Sequence, residues 1–201
     1  MTRDRLLDGA FDLFAALGTA ASSVDAICEA AGYTRGAFYS NFASKDELFV
    51  ALVDREFDRR IEHIRSAMIP ADPGPASESI DALAELIEPL FPDHADDRRW
   101  VVVRSELQRY ASASASAGAV FAERRDEMLE RLAERVAVIA ARADVALVLP
   151  AVEVARAAVA VYYEGVADAL LDESLGRPPA QRATQAERVA AVVRGLSAPL
   201  R

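Results

Sequence analysis

Within its first 50 residues the chain has to stop and restart a helix three times, and this punctuation limits its possible folds more than any other feature. Leu6, Ala10, Leu13, Phe14 and Leu17 recur at helical spacing and predict a helix over about Arg3–Leu17, which Gly18 ends as a left-handed cap. A second helix starts after Ser22 and Ser23, either of which can cap it. It carries Val24, Ile27, Cys28 and Ala31 on one face and breaks at Gly32. Thr34 is a natural N-cap for a third, short helix running through Tyr39. Ser44 followed three residues later by Glu47 matches a capping box. It opens a fourth helix whose apolar stripe runs through Leu48, Leu52, Val53, Phe57, Ile61, Ile64 and Met68. At 1.5 Å per residue that helix is roughly 36 Å long, enough to link one domain to the next.

Beyond it, Ile69-Pro-Ala-Asp-Pro-Gly-Pro75 reads as a linker. Further helices are expected near Ala76–Leu90, Asp96–Ala113, Ala119–Ala143, Pro150–Leu175 and Thr184–Leu196, with Pro178-Pro179 separating the last two. The alternating run Ala111–Ala117 is expected to end a helix or form a loop. With a hydrophobic fraction of 52% and scarce hairpin signals, the fold class is all-α, about nine helices. The expected division is 1–48 for a helix-turn-helix domain and 49–201 for a helical remainder. Cys28, the single cysteine, excludes an internal disulfide and a zinc motif. No uninterrupted apolar run reaches the ~18 residues of a membrane span. A secretory leader is also absent from the N-terminus, so a cytoplasmic location is expected.

The net charge is −9, and residues 1–66 hold 8 Lys and Arg against 11 Asp and Glu, or −3. Bulk attraction to nucleic acid is therefore excluded as a source of binding, and any DNA contact must be local and geometrically placed. A helix-turn-helix meets that demand. It needs two short helices crossing steeply, a small residue in the first and glycine at the turn; Cys28 and Gly32 supply both, with Ile27, Ala31 and Phe38 as the apolar wedge. The second helix must offer short polar or basic groups at its N-terminal end. Arg35 can pair bidentately with a guanine edge, Ala37 can touch a thymine methyl, and Gly36 permits close approach to the groove. Thr34 and Tyr39 carry hydroxyls suited to phosphates or bases. Tyr39 and Phe42 also fit as ordinary core aromatics, the more natural reading for Phe42.

The spaced pattern Val24-x-x-Ile27-Cys28-x-x-Ala31-Gly32-Tyr33-Thr34-Arg35-Gly36-Ala37-Phe38-Tyr39-x-Asn41-Phe42-x-Ser44-Lys45-Asp46-x-Leu48 resembles the N-terminal signature of the tetracycline-repressor (TetR) family. The resemblance covers about residues 3–60. Cys28 stands where alanine is usual and Asn41 where histidine or tyrosine often occurs, which puts one phosphate contact in doubt. It implies a homodimer that places its two Thr34–Ser40 helices in successive major grooves of a palindromic double-stranded DNA operator. Carried over by position, Tyr33, Tyr39, Asn41 and Lys45 would hold phosphates, and Thr34, Arg35 and Ala37 would face bases. Lys45 has an independent argument as well: it lies in the first turn of a helix, whose positive end favours phosphate.

The resemblance further implies a ligand-responsive repressor whose C-terminal helices sense a small-molecule inducer and dimerise. The Pro150–Leu175 segment is apolar nearly all round, which suits a dimer seam beside Thr184–Leu196, or else a central core helix of a monomer. Polar groups among apolar walls make Trp100, Arg104, Gln108 and Tyr110 on one helix, and Tyr162 and Tyr163 on another, the candidates for lining a ligand pocket. Each fits equally as a core or surface residue. Catalysis is not expected: His63 and His94 have no metal-ligand spacing, and no nucleophilic triad or phosphate loop is visible. No cofactor or metal is expected. An architectural protein without an inducer, and an activator, remain the competing classes.

Overall fold

The computed structural model describes residues 2–67, 80–91, 95–177 and 184–199. Among these the chain forms helices α1 (Thr2–Ala21), α2 (Val24–Ala31), α3 (Arg35–Tyr39), α4 (Lys45–Ser66), α5 (Ile80–Ile87), α6 (Ala95–Ala111), α7 (Ala115–Arg142), α8 (Ala151–Ser174) and α9 (Gln185–Gly195). The fold is all-α, as the sequence predicts. One small addition was not expected: strands β1 (Val145–Leu147) and β2 (Ser197–Pro199) pair antiparallel. The Ile69–Pro75 linker, the Pro178-Pro179 break and His94 lie outside the described residues.

The other helix stops fall where glycine and caps demand, but Gly18, expected to end α1 as a left-handed cap, lies at φ 76° and ψ 166° and kinks the helix, which runs on to Ala21. Gly32, at φ 71°, closes α2 in a Schellman turn: its N–H donates to the Glu29 carbonyl at 3.1 Å, and the Tyr33 N–H to the Cys28 carbonyl at 2.8 Å. The Ser23 hydroxyl accepts from the Ala26 N–H, which settles which serine caps α2. Thr34 caps α3 by accepting from the Ala37 N–H at 3.2 Å. At the start of α4, Ser44 accepts from the Glu47 N–H, but the Glu47 carboxylate returns to the N–H of Ala43 rather than of Ser44, so the box is displaced by one residue. Thr184 and Glu187 form the reciprocal box at the start of α9.

The Ala111–Ala117 run gives only a short turn. Ser114 accepts from the Ala117 N–H, and α7 is already helical from Ala115, four residues before the expected start, because alanine and a capping serine favour helix over loop. Pro89 cannot continue an α-helix, so α5 passes into a 3-10 turn over Glu88–Leu90. Leu17, expected on the apolar stripe of α1, is 61% exposed, because the kink at Gly18 ends that face at Phe14.

By contacts the described chain divides into two compact units, Met1–Arg59 with Arg99–Asp126, and Arg60–Arg98 with Glu127–Arg201. In the first, Leu6, Phe14, Ile27, Phe38, Phe42, Leu48, Leu52 and Phe57 are fully buried. Phe57 stands edge-on to Trp100 and to Phe121, each at 5.5 Å. Helices α1 and α2 meet at Gly9, where a Cβ would lie 2.9 Å from the Ala31 backbone nitrogen. That contact, with Ile27 and Cys28 buried beside it, holds α2 against α1 and leaves α3 on the outside. In the second unit, α9 packs on α5 and α8, and Val189, Ala190 and Val193 of α9, Leu86 and Ile87 of α5, and Val154 and Ala158 of α8 are buried.

Candidate nucleic-acid interface

Helix α3 is anchored by a single side chain. Phe38 is fully buried, its ring 5.7 Å from that of Phe42, which is buried as well. With α3 pinned there, its remaining residues turn outward: Tyr33, Thr34, Arg35, Gly36 and Tyr39 are exposed, and Ala37 and Asn41 are half-buried. Apart from Lys45, the candidate DNA-contacting residues therefore share one surface segment. No carboxylate occurs from 30 to 45.

The polar groups of this segment are already engaged with one another. The Asn41 side-chain amide donates to the Ala37 carbonyl at 2.8 Å, and the Ser40 hydroxyl to that of Gly36 at 2.8 Å. Arg35 lies over the Tyr39 ring at 5.7 Å, and its Nη2 donates to the Tyr39 hydroxyl at 3.3 Å. Its Nη1 donates to both oxygens of Asp25, at 2.9 and 2.8 Å. The Tyr39 hydroxyl and the Asp25 carboxylate hold the guanidinium above its ordinary range. Cys28, beneath the turn, is 4% exposed, and burial pushes its thiol up. Its place is that of a small apolar spacer.

Lys45 faces a different environment from the other candidates. It is half-buried; its ammonium donates to the Thr19 carbonyl at 2.6 Å and lies 5.8 Å over the Tyr110 ring. Burial lowers its pKa. Thr19 is the hub of this cluster. Its N–H and hydroxyl donate to Glu106 Oε2 at 2.8 and 3.2 Å, and Arg109 donates to the same carboxylate oxygen at 2.7 Å and to the Thr19 hydroxyl at 2.8 Å. The Arg109 and Thr19 donors hold the Glu106 carboxyl below its usual range. Gly18 makes the approach possible, since a Cβ there would sit 2.8 Å from Glu106 Oε2. Sequence reasoning found Gly18 as a helix stop and missed this second role; Thr19 and Glu106 are 87 residues apart and no local pattern links them.

Of the candidate ligand residues, Trp100 is buried against Phe57, Arg104 is half-buried and Gln108 exposed, so their common face passes from core to solvent. Tyr110 stacks on Phe49 at 4.4 Å and its hydroxyl donates to Asp46. Burial first, then that carboxylate, pushes its pKa up to about 12. Tyr162 and Tyr163 belong to the other unit, where Tyr162 is buried with its ring 5.2 Å from Phe91 and 5.6 Å from Tyr163. A small hollow in that unit, about 10 Å³, is walled by Ile87, Leu90, Phe91, Val136, Ala158 and Val193 among others, and by none of the six candidates. Among the described residues no group of three or more His, Cys, Asp or Glu is placed to hold a metal ion, and no helix is long and apolar enough to cross a membrane.

Residues 6–52 match the family described as bacterial regulatory proteins, tetR family. The chain is 36% identical over 74 residues to the HTH-type transcriptional regulator AcrR of Shigella flexneri, an overlap of 36% of this chain and 34% of that one. It is 33% identical over 66 residues to the HTH-type transcriptional activator FasR of Mycolicibacterium smegmatis, covering 33% and 30%. The matched stretch thus spans about a third of the length of these curated relatives. Among solved structures, Salmonella enterica GusR superposes with a TM-score of 0.71 at 20% identity, covering 97% of this chain and 94% of that one. The fatty acid degradation regulator FadR of Bacillus halodurans gives the same values. At that identity the likeness is one of fold.

Proposed function

We propose that the protein is a cytoplasmic transcriptional regulator that binds a palindromic DNA operator as a homodimer and is released by a small-molecule inducer, starting from the match of residues 6–52 to the tetR family of bacterial regulatory proteins. The observation that carries the DNA-binding part is α3: capped by Thr34, pinned by buried Phe38, and presenting Tyr33, Thr34, Arg35, Gly36 and Tyr39 to solvent on a segment free of carboxylates. In this reading Arg35, Thr34 and Ala37 meet base edges, Gly36 lets the backbone approach the groove, and Tyr33, Tyr39, Asn41 and Lys45 hold phosphates. Lys45 has three donor hydrogens and commits one to Thr19, so its remaining donors serve a phosphate without breaking that bond.

Pairing of two copies is supported by α8. One side, Val154, Ala155, Ala158, Tyr162 and Val166, is buried in the second unit, while Val152, Val159, Val161 and Leu170 are half-buried and Leu171 is 56% exposed. A helix apolar on two sides and covered on one has a face left for a partner. The proposed division of labour is DNA reading in 1–48 and inducer binding and dimerisation in 49–201. Trp100, Arg104, Gln108, Tyr110, Tyr162 and Tyr163 are the proposed source of ligand contacts. The inducer acts by favouring dimers whose two α3 helices are spaced wrongly for the operator, with α4 as the lever. Repression is the proposed sign. FasR, a transcriptional activator, makes activation the second reading, since it is 33% identical to this chain over 66 residues.

A titration with a duplex selected from a random pool tests the assignment. Arg35→Ala is expected to lose preference for the selected sequence. Lys45→Ala is expected to weaken all duplexes alike and to flatten the dependence of log K on log salt by roughly one unit. Indistinguishable effects of the two substitutions contradict the roles given to them.

A further inference from the structure

Asp25, in the first turn of α2, is a group that neither the turn nor the cap requires. Ser23 already caps the helix, and Asp25 lies outside the Ile27–Cys28 core contact. Its carboxylate instead reaches Arg35, ten residues on, and both oxygens take hydrogen bonds from one nitrogen, Nη1. An arginine offers a guanine two alternative pairs of donors: the two terminal nitrogens together, or Nε with the terminal nitrogen beside it, Nη2. Both Asp25 oxygens crowd Nη1, so the first pair would meet a guanine beside a carboxylate, and the Nε–Nη2 edge is the one clear of it. The direction of that edge is set by the ring of Tyr39, over which the guanidinium lies, and by the Nη2 bond to the Tyr39 hydroxyl.

We propose that Asp25 is a positioning residue for base recognition, holding Arg35 so that its Nε–Nη2 edge meets a guanine, and that its negative charge penalises binding through phosphates alone. The proposal rests on the reading that Arg35 contacts a base. Two observations favour it over a purely structural role. The pair is 59% and 64% exposed, a setting in which an ion pair contributes little to folding. Asp25 also places a carboxylate against Arg35, in a segment, 30–45, whose own sequence carries none, and a charge there weakens attraction to every phosphate. A protein with net charge −9 that gives up further attraction at its reading helix gains discrimination from geometry.

The test uses the full chain and a set of duplexes derived from one selected by the wild-type protein, each base in turn placed at every position. Arg35→Ala identifies the position that Arg35 reads. At that position Asp25→Asn is expected to reduce the guanine preference about tenfold and to tighten binding to a scrambled duplex about threefold. The double variant Arg35→Ala/Asp25→Asn is expected to show no further loss of preference beyond Arg35→Ala, which a general loosening of α2 would not produce. Asp25→Ala, which lacks the amide, should behave as Asp25→Asn, and melting curves of both near that of the wild type confirm folding. If Arg35→Ala abolishes the preference and Asp25→Asn leaves it intact, the proposal is overturned alone. If Arg35→Ala keeps the preference, both the proposal and the base-reading role of Arg35 are overturned.

Discussion

Replacing Gly36 by alanine separates what the fold needs from what the DNA needs, because the two respond in opposite directions. Gly36 is exposed on α3 and has no positive φ; a Cβ there meets only the Thr34 hydroxyl oxygen, at 3.7 Å, an ordinary contact. Alanine in a helix, at a backbone geometry it can adopt, stabilises by about 0.4–1 kcal/mol, mainly by restricting the unfolded chain. For a chain of this length that corresponds to a rise in melting temperature of roughly 1–4 °C. The same methyl group stands on the face proposed to enter the groove, where it holds the backbone away from the bases and is expected to weaken specific binding by about tenfold or more. Thermal melting followed by circular dichroism reads the first effect, and fluorescence anisotropy with a labelled operator duplex reads the second. A raised melting point with unchanged DNA affinity would refute the placement of Gly36 against the groove. A lowered melting point would refute the open space around it.

Gly9→Ala makes the same chemical change with the opposite structural outcome. The new Cβ falls 2.9 Å from the Ala31 nitrogen and forces α1 and α2 apart, so a loss of about 1–3 kcal/mol is expected in chemical denaturation despite the gain in helix propensity. Glu106 gives the pH dependence. Because its folded-state pKa lies below the usual 4.5, its contribution to stability is present above that value and is lost as pH falls through the folded pKa. Wild type is therefore expected to melt above Glu106→Gln near neutral pH, with the two curves converging in acid; a constant gap down to pH 3 speaks against a charged Glu106 at Thr19.

The helix-turn-helix was legible because its determinants are local. Ser23, Gly32 and Thr34 each act on backbone groups within five residues, and the anchor Phe38 lies four positions from its partner Phe42. The displaced capping box shows the limit of such reasoning, since Ser44 and Glu47 specify a helix start without specifying which N–H the carboxylate takes. The Thr19 cluster was not legible, because Glu106 and Arg109 come from a helix more than 80 residues away and are ordinary charged residues on an amphipathic pattern. Asp25 was overlooked for a related reason: its partner lies across the turn at no helical spacing, so only the angle between α2 and α3 brings them together. Trp100 shows another limit: pattern offers an aromatic residue equally to a pocket or a core, and only the structure reveals that its ring is buried edge-on to Phe57.

Lys45 is the single lysine in a chain with 22 arginines, and it is the residue whose ammonium is tied to the Thr19 carbonyl. Arginine is inert to acylating and reductively alkylating reagents at neutral pH, so the protein offers such reagents one side-chain amine. Its lowered pKa leaves more of it in the nucleophilic neutral form, while its half-burial and its hydrogen bond restrain it. The rate at which this one side chain takes up label is therefore a built-in gauge of whether the junction of Thr19, Glu106 and Tyr110 is closed, readable on the peptide that contains Lys45, apart from the label on the chain's α-amine, without any engineered probe.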